Sequence, residues 1–167
     1  MKVLVTGGGG FLGNAVVGKL LHAGHDVLSF SRREHGNVRK LGAGSIRGNI
    51  QDKGDVLRAM EGMEAVVHTA AKVGYWGTYD EFHVANVKGT ANIIDGCRKK
   101  GVSNLVFTSS PSVIFNGRDM EGDDESVPYP EKYDSHYSET KAEAERMVLK
   151  ANGNGLRTIS LRPHLIW

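Results

Sequence analysis

The segment Thr6-Gly7-Gly8-Gly9-Gly10-Phe11-Leu12-Gly13 constrains this chain more than any other. It follows a short apolar run, Val3–Thr6, and opens a helical pattern over Gly10–Ala23. Gly7, Gly10 and Gly13 have the spacing G-x-x-G-x-x-G. Each position has a physical use. Gly7 permits a tight turn out of the strand. Gly10 lets the backbone approach a pyrophosphate with no Cβ in the way. Gly13 lets the helix pack closely on the strand. The helix N-terminus then offers free N–H groups and the positive end of its dipole to phosphates. A glycine triplet alone signals only a flexible turn. The strand before it and the helix after it supply the context that dinucleotide binding demands.

The rest of the chain repeats this strand–helix alternation. Val3–Thr6, Asp26–Phe30, Ala65–Ala70, Leu105–Ser109 and Arg157–Leu161 read as strands, with a weaker one around Ser45–Gly48. They are rich in Val, Leu, Ile and Phe with little polar alternation, as in strands buried on both faces. Four helical patterns lie between them. Gly10–Ala23 places Phe11, Ala15, Val16 and Leu20 on one face. Asp52–Met60 opens on an Asp in N-cap position. Glu81–Lys100 spaces Val84, Val87, Ala91 and Ile94 helically, and His136–Ala151 is the last. The expectation is one α/β domain over 1–167: a doubly wound parallel sheet, Rossmann-like, in three α/β/α layers. Gly117–Lys132 is the one long irregular stretch, acidic and holding Pro128 and Pro130. A loop of that length in a compact domain is usually functional or mobile.

Composition excludes more than it proposes. At 167 residues the chain can bury one sizeable core. Twenty-one basic against 19 acidic residues leave +2, too balanced to argue for nucleic acid. Arg98-Lys99-Lys100 stands just before Gly101, where it suits a helix C-terminus. The single cysteine, Cys97, excludes an internal disulfide and reads as a small buried hydrophobe. No apolar run approaches the ~20 residues of a membrane span, and no signal-peptide pattern opens the chain. A soluble, cytoplasmic protein with no metal site is expected. The chain stops on Pro163-His164-Leu165-Ile166-Trp167, just past a strand, which suggests a piece of something longer.

Cofactor choice is written at the end of the second strand. An acidic residue there would hold a ribose 2′-hydroxyl. Ser31-Arg32-Arg33 stands there instead, and a hydroxyl with guanidinium groups suits a 2′-phosphate. NADP(H) is therefore favoured, and Glu34 close by leaves NAD(H) open. Tyr137-Ser138-Glu139-Thr140-Lys141 puts a phenol and an amine four residues apart, on one helix face. A nearby ammonium is expected to lower the phenol toward neutrality, so that it can exchange a proton with a carbonyl or alcohol oxygen. Ser109-Ser110-Pro111-Ser112 ends the fifth strand, at the edge where such sheets bind ligands. A Ser110 hydroxyl there can polarise a carbonyl, or merely cap the strand end.

With these features in order, the chain resembles the extended short-chain dehydrogenases/reductases. The likeness rests on Thr6-Gly7-x-x-Gly10-x-x-Gly13, His68-Thr69-Ala70-Ala71, Asn86-Val87-x-Gly89-Thr90, Thr108-Ser109-Ser110, Tyr137 with Lys141, and Arg162-Pro163. It implies a catalytic set of Ser110, Tyr137 and Lys141. It implies pyrophosphate contacts from Gly7, Gly10, Phe11 and Leu12, and a nicotinamide side lined by Ala70 and Ala71. Asn49-Ile50 falls at the adenine, where the family usually has Asp, so that hydrogen bond is in doubt. Asn86 faces the site, and Pro163 and His164 pass the nicotinamide. Within the family, 70–77, 109–113 and 161–167 are similar to the 3β-hydroxysteroid dehydrogenase branch and its bacterial 2-alkyl-3-oxoalkanoate reductases of olefin biosynthesis. That implies NADPH reduction of a β-keto acid, or turnover of a sterol-like apolar substrate. Tyr75, Trp76, Tyr79 and Phe82 would form an apolar lip for it, if they are not simply core packing. Two other readings stay open: an NAD-dependent nucleotide-sugar epimerase or dehydratase, and a non-catalytic dinucleotide-binding fragment. The family's pocket is completed by a C-terminal region absent here, so the piece alone is expected to turn over poorly. By analogy a homodimer packs through the Glu81–Lys100 and His136–Ala151 helices.

Overall fold

A computed structural model describes residues 1–164 and Ile166. The closing stretch 161–167 singled out above includes Leu165 and Trp167, which lie outside the described residues. Six parallel strands form one sheet in the order β3-β2-β1-β4-β5-β6. They are β1 (Lys2–Thr6), β2 (Asp26–Ser31), β3 (Gly44–Arg47), β4 (Ala65–His68), β5 (Asn104–Thr108) and β6 (Arg157–Leu161). The order reverses between β1 and β4, whose register pairs Thr6 with His68. That reversal opens a crevice at the C-terminal strand ends, where ligands of doubly wound sheets bind.

Helices cover both faces. On one side Val17 of α1 (Phe11–His22) and Val38 of α2 (Gly36–Lys40) close on Val3, Val5 and Val27. On the other, α3 (Lys53–Ala59), α5 (Gly89–Lys100) and α6 (His136–Lys150) bury Val56, Ile93 and Val148 against Leu4, Phe30, Leu105 and Phe107. Each large side chain fully buried in this way contributes roughly 1.5–3 kcal/mol relative to exposure. Asp52 caps α3 as expected, accepting from the Asp55 amide. Gly101, left-handed at φ 70°, ends α5 after its basic last turn. Among the described residues no helix is long and apolar enough to cross a membrane.

Several expectations are corrected. The 81–100 helix is not one helix. It begins earlier, as α4 (Tyr79–His83), because Thr78 and Glu81 make a reciprocal capping box. It then widens into a π-helical turn, Val84–Lys88, before α5. The buried side of α1 is Gly13 and Val17, with Phe11 and Ala15 exposed. Close packing at the glycine turn sets that rotation, which an apolar count ignores. β4 stops at His68, so Ala70 lies beyond the strand, and Ser109 lies beyond β5. The short α2 was not anticipated, since Gly36 and Asn37 are poor helix formers. Phe82 is fully buried and cannot belong to a lip; Tyr75 and Trp76, at 88% and 91% exposure, can.

Candidate active site at the carboxyl edge of the sheet

The glycine turn has the geometry its spacing predicts. Gly7 takes φ 72°, its N–H donates to the Phe30 carbonyl at 2.8 Å, and the Gly10 N–H closes the turn onto the Gly7 carbonyl at 2.9 Å. A Cβ on Gly7 would meet the Ala70 backbone at 3.0 Å, and one on Gly13 would collide with the Gly7 carbonyl. Gly9 is equally tight, because the His35 imidazole lies directly over it. Gly10 is the N-cap of α1 and brings no capping side chain, so the N–H groups of Phe11, Leu12 and Gly13 stay open. Asn14 Nδ2 is buried there with no protein partner. Open amides, a bare cradle and an orphaned donor fit a dinucleotide pyrophosphate.

At the end of β2 the Ser31 hydroxyl is committed to the Arg33 carbonyl at 2.7 Å. The Arg32 and Arg33 side chains are exposed. Arg47 of β3 pins this loop by donating Nε to the Arg32 carbonyl at 3.1 Å. Glu34 is paired with Arg39 at 3.2 Å. Asn49 uses its side-chain oxygen on the Gln51 amide, while Asp55 accepts the Asn49 N–H at 2.9 Å. Asp55 thus organises the turn from below. Ile50 packs on Gly89, where a Cβ would intrude at 2.7 Å.

Helix α6 holds two of the three candidate catalytic residues, Tyr137 and Lys141. Its N-cap is Ser135, which accepts from the Ser138 amide at 3.2 Å and sets the helix so that Tyr137 and Lys141 share a face. Ser110 caps the 3₁₀ turn Pro111–Val113 and bonds the Ser112 hydroxyl at 2.9 Å. Burial pushes the Tyr137 phenol up, and the Ser110 hydroxyl beside it pulls the other way. This corrects the expected lowering by Lys141. The lysine is 3% exposed and gives Nζ to the Thr108 carbonyl at 2.6 Å, 4.0 Å over the Phe107 ring. Burial brings that amine down to about 7, with Glu145 opposing. The spacing brought the helix positions together. It could not foresee that a strand-end carbonyl would claim the amine.

Other elements frame the cleft. Ala70 and Ala71 are half-buried beside the glycine turn. Asn86, in the π-turn, is buried and fully bonded: Oδ1 accepts from the Lys72 N–H at 2.7 Å, and Nδ2 donates to the Lys72 carbonyl and the Thr140 hydroxyl, both at 3.1 Å. Pro163 is half-buried and His164 exposed. Sequence reasoning missed Glu145, fully buried one turn beyond Lys141. Its carboxylate takes Arg162 in a forked pair, Nη2 to Oε1 at 2.6 Å and Nε to Oε2 at 3.2 Å, with Tyr129 at 2.6 Å and Ser160 at 2.9 Å. Burial pushes that carboxyl up, but the hydrogen bonds led by Arg162 hold it below its usual value. The continued four-residue spacing, Tyr137-Lys141-Glu145, was the available signal. This cluster ties the irregular 114–135 segment and the β6 exit to α6.

A parallel sheet with an open glycine turn at its switch point, and Ser110, Tyr137 and Lys141 at the same edge, defines a dinucleotide-binding domain of the short-chain dehydrogenase/reductase kind. The chain belongs to the 3-beta hydroxysteroid dehydrogenase/isomerase family, whose profile matches residues 4–167. It is 48% identical to a 2-alkyl-3-oxoalkanoate reductase of Stenotrophomonas maltophilia over 100% of this chain and 51% of that protein. It is 38% identical to a 3 beta-hydroxysteroid dehydrogenase/Delta 5-->4-isomerase of Mycobacterium tuberculosis, over 99% of this chain and 47% of the relative. Among solved structures, a short-chain dehydrogenase/reductase superfamily protein from Agrobacterium tumefaciens with bound NAD superposes with TM-score 0.85 at 31% identity. That match covers 97% of this chain and 48% of the other. A Thermus thermophilus UDP-glucose 4-epimerase complex with NAD gives TM-score 0.83 at 32% identity, over 97% and 54%. The chain spans about half the length of the curated relatives it matches.

Proposed function

We propose that the protein carrying this chain is an NADP(H)-dependent oxidoreductase that interconverts a ketone and a secondary alcohol, with a 2-alkyl-3-oxoalkanoate as its preferred substrate class and a sterol-like ketone as the next. The observation that carries the reading is Tyr137 and Lys141 on one face of α6, with Ser110 just past the end of β5, at the sheet edge that also holds an open glycine turn. The dinucleotide, when bound, supplies hydride to the carbonyl carbon. Tyr137 Oη gives its proton to the carbonyl oxygen, which the Ser110 hydroxyl holds and polarises. Tyrosinate is then reprotonated from solvent. Lys141, one turn from Tyr137 on the same face of α6 and with its amine brought down to about 7 by burial, can carry either charge state at neutral pH. Exposed Arg32 and Arg33, with Glu34 occupied by Arg39, support a 2′-phosphate. Tyr75 and Trp76, both largely exposed, are the apolar surface assigned to alkyl chains.

The reading rests on this half of the site; the family's substrate region lies beyond it. The 167-residue chain alone is therefore expected to bind nucleotide weakly and turn over poorly. The α5–α6 side is the proposed dimer face. The test is a panel of 2-alkyl-3-keto acids, keto-steroids and sugar nucleotides, offered to the whole protein with NADPH and with NADH. Oxidation of NADPH with the keto acids is the expected result. Turnover of sugar nucleotides alone, with NAD, would replace this reading by the epimerase chemistry named for the Thermus relative.

A further inference from the structure

We propose that His68 is a positioning residue: fixed as its Nε2–H tautomer, it joins the cofactor-binding turn to the backbone carbonyl of Asn86 through a one-directional run of hydrogen bonds, and the Asn86 side chain in turn bonds α6. The kinetic part of this inference rests on the oxidoreductase reading; the structural part does not.

The direction of the run follows from donor bookkeeping. The Thr90 hydroxyl has one proton and gives it to the Asn86 carbonyl at 2.6 Å. Toward His68 Nε2, at 3.0 Å, Thr90 can then only accept, so Nε2 carries the hydrogen. His68 is 1% exposed and stays neutral, because burial, with Lys141 adding to it, brings its pKa down to about 3. Nδ1 is therefore a bare acceptor and takes the Thr6 hydroxyl proton at 2.7 Å. Thr6 Oγ1 in turn accepts the Ala70 N–H at 3.2 Å. Every donor has one acceptor. The run reads Ala70 N–H to Thr6, Thr6 to His68, His68 to Thr90, Thr90 to Asn86.

Its two ends are the two halves of the site. Thr6 is the last residue of β1, and the Thr69 hydroxyl donates to its carbonyl at 2.6 Å. Ala70 lies against Gly7 so closely that no Cβ fits between them. At the far end, Asn86 donates to Thr140, which sits on α6 between Tyr137 and Lys141 and bonds the His136 carbonyl at 2.7 Å. His68 also shares the Phe107 ring with Lys141: the imidazole centroid is 5.6 Å from that of the ring, and the amine lies 4.0 Å over it. An apolar side chain would fill the space but leave the Thr6 hydroxyl proton without its acceptor and the Thr90 oxygen without the N–H it accepts. The histidine is therefore there for its two nitrogens. It holds the distance between the turn that seats the dinucleotide and the helix that holds the proton donor, and a misplacement of about 1 Å there can cost on the order of a hundredfold in rate.

Nitrogen-resolved NMR of the 167-residue chain is expected to give His68 as a single Nε2–H neutral species from about pH 5 to about pH 8. In the whole protein, His68→Phe is expected to lower kcat about tenfold or more while KM for the ketone and nucleotide affinity move less than about twofold. His68→Gln, whose amide accepts at one atom and donates at the other, is expected to recover most of the loss. If His68→Phe does not fold, Thr90→Val removes the Nε2–H acceptor and serves in its place, with the same kcat loss. A titrating His68, an Nδ1–H tautomer, or unchanged kcat in the folded variants would overturn the proposal. If the parent protein reduces no ketone, the functional reading fails by itself. Ala70 amide exchange then decides the network: faster exchange in the Thr90→Val chain supports it, and unchanged exchange overturns it.

Discussion

Lys141 offers a stability test whose sign reverses with pH. An amine moved from 10.5 to about 7 by burial means that the folded chain disfavours the charge the unfolded chain keeps. At about 1.4 kcal/mol per pKa unit, the folded state is penalised by at most about 5 kcal/mol at neutral pH. Between about 7 and 10.5 the unfolded chain holds a proton that the folded chain has released, so this contribution makes stability rise with pH. Below about 7 the penalty is fully present; above 10.5 it is gone. Lys141→Met removes it and keeps the volume, but leaves the Thr108 carbonyl without its 2.6 Å partner, a loss of about 1–3 kcal/mol. The net expectation is a gain of about 2 kcal/mol at pH 7, which moves the urea midpoint up by about 1 M. Near pH 10.5 the same variant should be the less stable chain, by about 1 kcal/mol. Urea unfolding of both chains across this range is the assay. A Met variant no more stable at neutral pH, or a difference that does not change with pH, would mean that the amine reaches water and carries no burial penalty.

Glu145→Gln leaves Arg162, 19% exposed at its side chain, without its carboxylate, and should cost about 3 kcal/mol by denaturant unfolding. Because the folded carboxyl lies below its usual 4.5, that stability is full above about 4.5 and fades as pH falls through the folded value, so variant and parent should converge in acid. Gly13→Ala drives a Cβ into the Gly7 carbonyl; a fall in melting temperature and at least a tenfold loss of nucleotide affinity by calorimetry are expected despite the better helix former. Arg32→Ala should weaken NADPH by about tenfold and NADH by less than twofold in fluorescence titrations, a phosphate contact being worth about 1.5–3 kcal/mol. Equal losses would remove the 2′-phosphate assignment.

The sheet was legible because strands buried on both faces are mostly apolar: β1, β4 and β5 have unbroken apolar centres, and β2 departs from that only at the buried Ser29. The glycine turn and the Tyr137–Lys141 face were legible because each is a local spacing with one geometric meaning. What stayed hidden depended on partners distant in sequence. Lys141 looked like a phenol's neighbour until Thr108, 33 residues away, supplied a carbonyl for its amine. Phe82 looked like lip because its burial is decided by α6, which covers it with His136. His68 read only as a family letter; its role needs Thr6 and Thr90, 62 and 22 residues away. The 81–100 helix looked continuous because a π-turn adds a residue without leaving a breaker behind.

That added residue has a consequence of its own. A π-turn inserts one position into a helix and so rotates everything after it by about 100° relative to everything before. Residues 79–88 can therefore be phased to α6, presenting Phe82 and Asn86 to it, while Gly89–Lys100 is phased to the sheet, presenting Ile93 and Cys97 to the core. One continuous rod could not satisfy both. Removing a single residue from Val84–Lys88 would restore a regular helix and force a choice between seating the core and seating Asn86. The insertion works as a vernier, letting site and core be adjusted separately within one stretch of chain.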